Sequence, residues 1–432
     1  MKIFNFELLK DFFSYGLIGV LGKAINIFVI PFYVHYLTVE EFGILEIFAS
    51  SIAIFTLIST FQLDTAFLRF FSELKNKNEI DSYFSTALNS LFLILIPVTF
   101  LSFFILRPFF SSLDLNVFFM FLFIIPIKSL LSYLTCLFRV TFNRNHFVKI
   151  NLINIVCIPL FSLLLLYYGF GINAIIYSTL IFNFISLLTT YYLIFENHVF
   201  IIDFDILKEM FKFSAPLIPA SLSIVLFQNV SKFFIFSYIS LTVLGFYSFA
   251  LKVFIPFSII VQSLKMAWYP RAYQIFDKLS DSNKMFLKVE RYFSFLVLSI
   301  YFLLISLSKS LIDLFGDGKM NTSKDYVVLI SLVFLTRSLA YFYIVSLNIL
   351  KRTTWVMKIN VLSLLLLSLC FLILYLSNRI SIYNIIICEI FTELIRLLII
   401  TYLTKKYFQK FYTFHVIIIL LCIIFFNLLF FI

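Results

Sequence analysis

Seven basic residues lie inside otherwise apolar stretches of this chain: Lys23, Lys128, Lys232, Lys252, Lys265, Arg337 and Arg396. A charge at membrane depth is expensive unless it faces a partner or a watery cavity, so each is a candidate for function. Acids at similar depth are fewer: Glu46, Asp64, Glu389 and Glu393. The surplus of buried positive charge predicts a cavity built for an anion. Amide groups accompany two of the lysines, with Asn26 three residues from Lys23, and Gln228 and Asn229 within four of Lys232. Lys265 lies near one end of its apolar run, where its stem can snorkel to headgroups instead. Glu389, Glu393 and Arg396 recur at i, i+4 and i+7 on one helical face. They form either a structural ion pair or, with a carboxyl group that takes up protons, an ion-coupling site.

The elements that position these residues follow from composition. The chain has 432 residues, 62% apolar, 20% aromatic and only 13% charged, with 61 Phe. Soluble domains carry roughly 25% charge and 45–50% apolar residues, so this is a membrane protein. Its five Cys have no CxxC spacing and its four His have no helical partner, so no metal or cofactor is expected. The opening residues, MKIFNFELLKDFF, lack a small-residue cleavage site and read as an amphipathic leader on the cytoplasmic face.

A span needs about 20 residues, and thirteen stretches qualify, approximately 11–37, 43–66, 83–106, 112–138, 147–169, 172–195, 213–240, 243–268, 291–312, 326–350, 355–376, 381–404 and 412–432. Helices are required, because lipid offers no partner to open backbone groups. With the N-terminus inside, the inner segments hold 21 Lys and Arg and the outer ones five, a strong positive-inside bias. The net charge of +11 is therefore a matter of topology and anionic lipid, and nothing supports a nucleic-acid partner. The longest outer loop, roughly 312–326, is too short for a catalytic domain, and no nucleotide-binding loop is present. That argues against a polymerase, a glycosyltransferase or any ATP-driven chemistry.

The chain also repeats itself. Ser14 to Ile18 matches Ser214 to Ile218 at an offset of 200, and Phe67-Leu68-Arg69 matches Tyr269-Pro270-Arg271 at 202. Six spans precede the repeat, so the halves share orientation and are expected to be related by a pseudo-two-fold axis along the membrane normal. The predicted organisation is all-α: a six-helix lobe over 1–195, a linker helix over 196–212, a second six-helix lobe over 213–404, and an extra segment over 405–432. Gly16, Gly19 and Gly22 in the first helix, and Pro216 and Pro219 in its counterpart, predict bends or close packing at matching places. In the linker, Phe204, Leu207, Met210 and Phe211 share a face, predicting an interfacial helix.

The stretch from Pro31 to Leu45 (PFYVHYLTVEEFGIL) resembles the first-hairpin signature of bacterial polysaccharide flippases. Leu244 to Lys252 (LGFYSFALK) and Trp268 to Arg271 (WYPR) are similar to the matching second-half region. The resemblance spans 11–404, and its motifs are shared with multidrug and toxic-compound exporters and peptidoglycan-precursor flippases. Members usually have twelve or fourteen spans, so a thirteenth departs from the pattern. The resemblance implies a bacterial inner-membrane exporter of O-antigen or capsule repeat units. Its substrate would be an undecaprenyl-diphosphate-linked oligosaccharide, moved by alternating access among membrane lipids, with proton or sodium coupling and other polysaccharide-assembly proteins as possible partners. Lys23, Asn26, Lys128, Gln228, Asn229, Lys232, Lys252 and Arg337 would then bind substrate. Asp64, Arg69 and Arg271 would serve as gate or headgroup contacts, and Glu389, Glu393 and Arg396 would couple an ion. An ion-coupled exporter of small molecules is the alternative, but a cation site would want net acidic lining.

Overall fold

The structure, a computed structural model, describes residues 6–74, 76–111, 113–141, 143–195, 198–278, 282–349 and 353–407; over 6–17 and most of 266–287 only the backbone is described. The described chain is helical, without a strand. In order the helices are α1 (Phe6–Tyr36), α2 (Val39–Thr60), α3 (Leu63–Phe71), α4 (Lys77–Leu106), α5 (Leu115–Val140), α6 (Arg144–Leu152), α7 (Ile158–Tyr167), α8 (Asn173–Ile194) and α9 (Phe204–Ser214). They continue as α10 (Leu217–Tyr238), α11 (Leu241–Val253), α12 (Ile255–Lys278), α13 (Ser282–Phe315), α14 (Ser323–Ile349), α15 (Thr353–Leu376) and α16 (Ile382–Tyr407). A π-helical turn, Ile153–Cys157, joins α6 and α7.

Among the described residues ten helical spans are long and apolar enough to cross a membrane, and the bent pair α11–α12 makes an eleventh. At 26 residues α16 is also long enough, but it carries Glu389, Glu393 and Arg396. Each of the first twelve expected spans thus has its helix, and the protein is a polytopic all-α membrane protein. The expected thirteenth segment, 412–432, lies outside the described residues.

The chain divides into two compact units, Met1–Val225 and Leu226–Ile432, the cut falling inside α10. In the first unit α5 is the centre and packs on α2, α3, α4, α6 and α8. Its seam with α2 is aromatic: Phe121 stacks on Phe48 at 4.4 Å between ring centroids. In the second unit α14 is the centre, packing on α11, α12, α13, α15 and α16. These two helices are the most buried spans of their units.

The hairpin stretch from Pro31 to Leu45 has a mechanical explanation. Thr38 caps α2 by accepting from the Glu41 amide at 3.2 Å, and the Glu41 carboxylate accepts from the Thr38 amide at 2.9 Å, a reciprocal capping box. The same carboxylate accepts from the Ile172 amide at 3.2 Å, tying the turn before α8 to this hairpin. Gly171 there has φ +53°, where a side chain is strained, and a Cβ would push Glu41 Oε1 from its place 2.8 Å away, so glycine is favoured.

Four expectations need correction. The second span, expected to run unbroken over 43–66, breaks after Thr60: Phe61 and Gln62 both have left-handed backbone, φ 47° and 56°, before α3 resumes. Consecutive non-glycine residues in that region are strained. The eighth span, expected over 243–268, bends by 44° between α11 and α12. Pro216 and Pro219 do not bend α10. Pro216 precedes it and Pro219 sits in its first turn, where a missing N–H costs nothing. Finally, the linker helix expected over 196–212 starts only at Phe204, after a strap over 198–203. On α9 Met210 is buried against α3 and α4, with Ile206 and Phe213 beside it, while Phe204 is exposed. The Asn89 amide holds that strap by donating to the Val199 and Ile201 carbonyls at 3.0 and 2.9 Å.

Candidate functional site

The break between α2 and α3 opens a cavity of about 300 Å³ within the first unit. Its polar lining is Thr56, Thr60, Gln62, Asp64, Lys128 and Ser132. Lys128 comes from the central helix α5, one turn from Ser132, and α2, the break itself (Gln62) and α3 supply the rest. Lys128 has no hydrogen bond or ion pair among the described residues, and the Thr56 hydroxyl is buried without a partner there. Asp64 is only loosely held, with Arg139 at 4.0 Å and the Thr65 hydroxyl at 3.5 Å. Lys128 and Asp64 therefore face one cavity without neutralising each other, an arrangement that leaves both open to a polar ligand.

The second unit carries the matching cation in a different state. Arg337 lies on the central helix α14, and its Nε donates to Glu393 Oε1 of α16 at 2.6 Å. Arg396 Nη1 donates to the other Glu393 oxygen at 3.3 Å, and its Nη2 donates to Asn360 Oδ1 of α15 at 3.0 Å. The Arg396 guanidinium also stands 5.7 Å from the centre of the Phe227 ring. One carboxylate, 1% exposed, thus holds two guanidiniums. Glu389, one turn earlier on α16, accepts from the Tyr247 hydroxyl of α11 at 2.8 and 3.0 Å and from the Ser231 hydroxyl of α10.

The difference between the units is written in two helices. The offset of 209 that carries Lys128 onto Arg337 also carries the start of α8, Asn173, onto the start of α16, Ile382. Under it Glu389, Glu393 and Arg396 fall on Leu180, Phe184 and Leu187. Helix α8 packs on α5 as α16 packs on α14, but it brings no carboxylate. Lys128 therefore has no ion-pair partner among the described residues.

The structure brings Lys128 and Asp64 to one cavity, and Arg337, Glu389, Glu393 and Arg396 to one buried cluster. None of the other expected residues lines that cavity. Lys23 is half-buried and Asn26 exposed on α1; on α10, Gln228 is exposed while Asn229 and Lys232 are half-buried. Lys252 is half-buried near the α11–α12 bend, and the Lys265 ammonium stands 4.7 Å from the centre of the Tyr341 ring. Arg69 sits on the surface, paired with Glu73 at 2.5 Å, an exposed contact of little energetic weight. The Arg271 side chain lies outside the described residues. The cavity residues Thr56, Gln62 and Ser132, and the carboxylate partners Ser231, Tyr247 and Asn360, were not anticipated. Of these only Asn360, set in an apolar run, gave a sequence signal.

No curated protein sequence matches this chain. Among solved structures, lipid II flippase MurJ in an inward closed conformation superposes with a TM-score of 0.72 at 15% identity, covering 96% of this chain and 91% of that one. An inward-facing multidrug resistance MATE family transporter gives 0.64 at 11% identity, with 90% and 94% covered. A MOP superfamily transporter from Pyrococcus furiosus, described as having a binding pocket of reversed polarity, gives 0.62 at 12% identity, with 93% and 96% covered. At these identities the likeness is one of fold. The sequence model of the polysaccharide biosynthesis protein family matches residues 35–318, most of the chain, and the protein belongs to that family.

Proposed function

We propose that the protein is a flippase. It moves an undecaprenyl-diphosphate-linked oligosaccharide repeat unit from the cytoplasmic to the outer leaflet of the bacterial inner membrane, by alternating access through a cationic central cavity, with its N-terminus in the cytoplasm. The observation that carries this reading is Lys128, a cation with no ion pair among the described residues, on the most buried helix of its unit and facing a polar cavity. Such a charge is tolerated where it faces a partner or a watery cavity, and a watery cavity suits a hydrated, anionic head group. The lipid tail can stay in hydrocarbon while the head needs this kind of path. Lysine, a compact charge with three rotatable donors, suits a transient contact with a passing head group. Lys23, Lys232 and Lys252 are the further cations assigned to the path. Ion coupling is assigned to Glu389 rather than Glu393, because two guanidiniums already hold Glu393.

The test is flipping of fluorescent lipid-linked oligosaccharide in proteoliposomes, comparing the native protein with Lys23→Ala, Lys128→Ala and Lys232→Ala. Protein-dependent flipping that falls in folded variants supports the reading. Transport of cationic dyes in place of the lipid-linked head would move the assignment to a drug exporter.

A further inference from the structure

We propose that the cavity at the α2–α3 break is a subsite for one acidic sugar of the head group, a pyranose ring bearing a single carboxylate, rather than for the diphosphate. This rests on the lipid-linked oligosaccharide reading above. Charge decides between the two ligands. The cavity lining presents one cation, Lys128, and one anion, Asp64, with Arg139 outside that lining and 4.0 Å from Asp64. A diphosphate brings about two negative charges, so one lysine under-compensates it while Asp64 repels it across the same small volume, where charges are poorly screened. A sugar carboxylate brings one charge for Lys128. Its ring hydroxyls donate to Asp64, whose other contacts are long, at 4.0 and 3.5 Å. The Thr56 hydroxyl, buried without a partner among the described residues, and Ser132 complete a hydroxyl-recognising wall. Size agrees: about 300 Å³ is at the low end of small-ligand pockets, room for one ring.

The experiment uses the full-length protein in detergent, with methyl glucuronide, methyl glucoside and inorganic pyrophosphate as probes, read by calorimetry. The glucuronide is expected to bind about tenfold or more tighter than the glucoside, the ratio set by one charge-assisted contact. Lys128→Gln and Lys128→Met should each remove that preference, and Asp64→Asn should weaken both sugars. Equal binding of the two glycosides, no sugar binding at all, or pyrophosphate binding that depends on Lys128 and matches the glucuronide would each overturn the assignment. A flipping assay separates the two readings. If lipid-linked oligosaccharides with and without an acidic residue move equally well and independently of Lys128, the subsite is wrong and the flippase stands. If neither moves, the flippase reading itself fails.

Discussion

Lys128 and Arg337 stand at equivalent places, and their surroundings predict opposite responses to losing the charge. Glu393 is 1% exposed and takes Arg337 at 2.6 Å and Arg396 at 3.3 Å. Removing one member of a buried pair costs about 3–5 kcal/mol, because the other is left uncompensated. Arg337→Gln leaves Glu393 with the longer of its two contacts, so about 3 kcal/mol is expected. Glu393→Gln strands two guanidiniums and belongs at the upper end. Lys128→Gln strands no described counter-ion and relieves the burial of a charge, so its effect should lie between neutral and slightly stabilising. For a unit of this size about 1 kcal/mol moves Tm by roughly 2–4 °C. Thermal unfolding of the purified protein in detergent should then show Arg337→Gln down by roughly 6–12 °C and Lys128→Gln unchanged or higher. The double variant Arg337→Gln with Glu393→Gln should lose less than the two single losses combined, since the pair is coupled. A Lys128→Gln variant as unstable as Arg337→Gln would refute the reasoning, for it would mean that Lys128 has a counter-ion after all.

Three further outcomes are expected. Tyr247→Phe removes the hydroxyl that donates to both Glu389 oxygens and should cost about 1–3 kcal/mol in the same unfolding assay. Glu41→Ala removes both the capping box and the tie to Ile172. It should cost about 1–2 kcal/mol and speed amide exchange at Ile172. His198, in the strap, donates from Nε2 to Asn89 Oδ1 at 2.8 Å and accepts at Nδ1 from the Tyr191 hydroxyl at 2.9 Å, and burial pushes its pKa below the ordinary histidine value. The unfolded chain therefore takes the proton first. The stability it contributes is whole above about pH 6.5 and is lost as pH falls through the lowered value. His198→Gln should show a smaller drop in Tm between pH 7.5 and pH 5 than the native protein, and an equal drop would remove His198 as the cause.

The long helices were legible because 20-residue apolar runs admit no other structure in lipid. The breaks were not. Phe61 and Gln62 carry none of the glycine or proline that usually marks one, and the strain at that junction is held by tertiary packing that no local pattern records. Pro216 and Pro219 misled for a related reason: proline bends a helix interior but opens a helix start, and the start of α10 was placed a few residues early. Among the candidate residues, depth in an apolar run identified Lys128 and Arg337 together. Telling them apart needed the neighbouring helices, since the carboxylate that neutralises Arg337 lies 56 positions away. The two leucines and one phenylalanine of α8 at the matching positions are unremarkable on their own. The Glu393–Arg396 contact was legible, because i and i+3 are neighbours on any helix.

The ion cluster also bears on how the chain is made. Insertion of a helix with a charge at its centre costs about 2.5–3.5 kcal/mol per charged residue. Helix α16 carries three such residues and α14 carries Arg337. Helix α14 leaves the ribosome first, so Arg337 enters the bilayer before Glu393 exists. A chain stopped after Leu376 would hold that guanidinium in hydrocarbon without its counter-ion. Stable integration of the second unit therefore waits on α16, which makes the last described helix the one that completes membrane biogenesis of those before it.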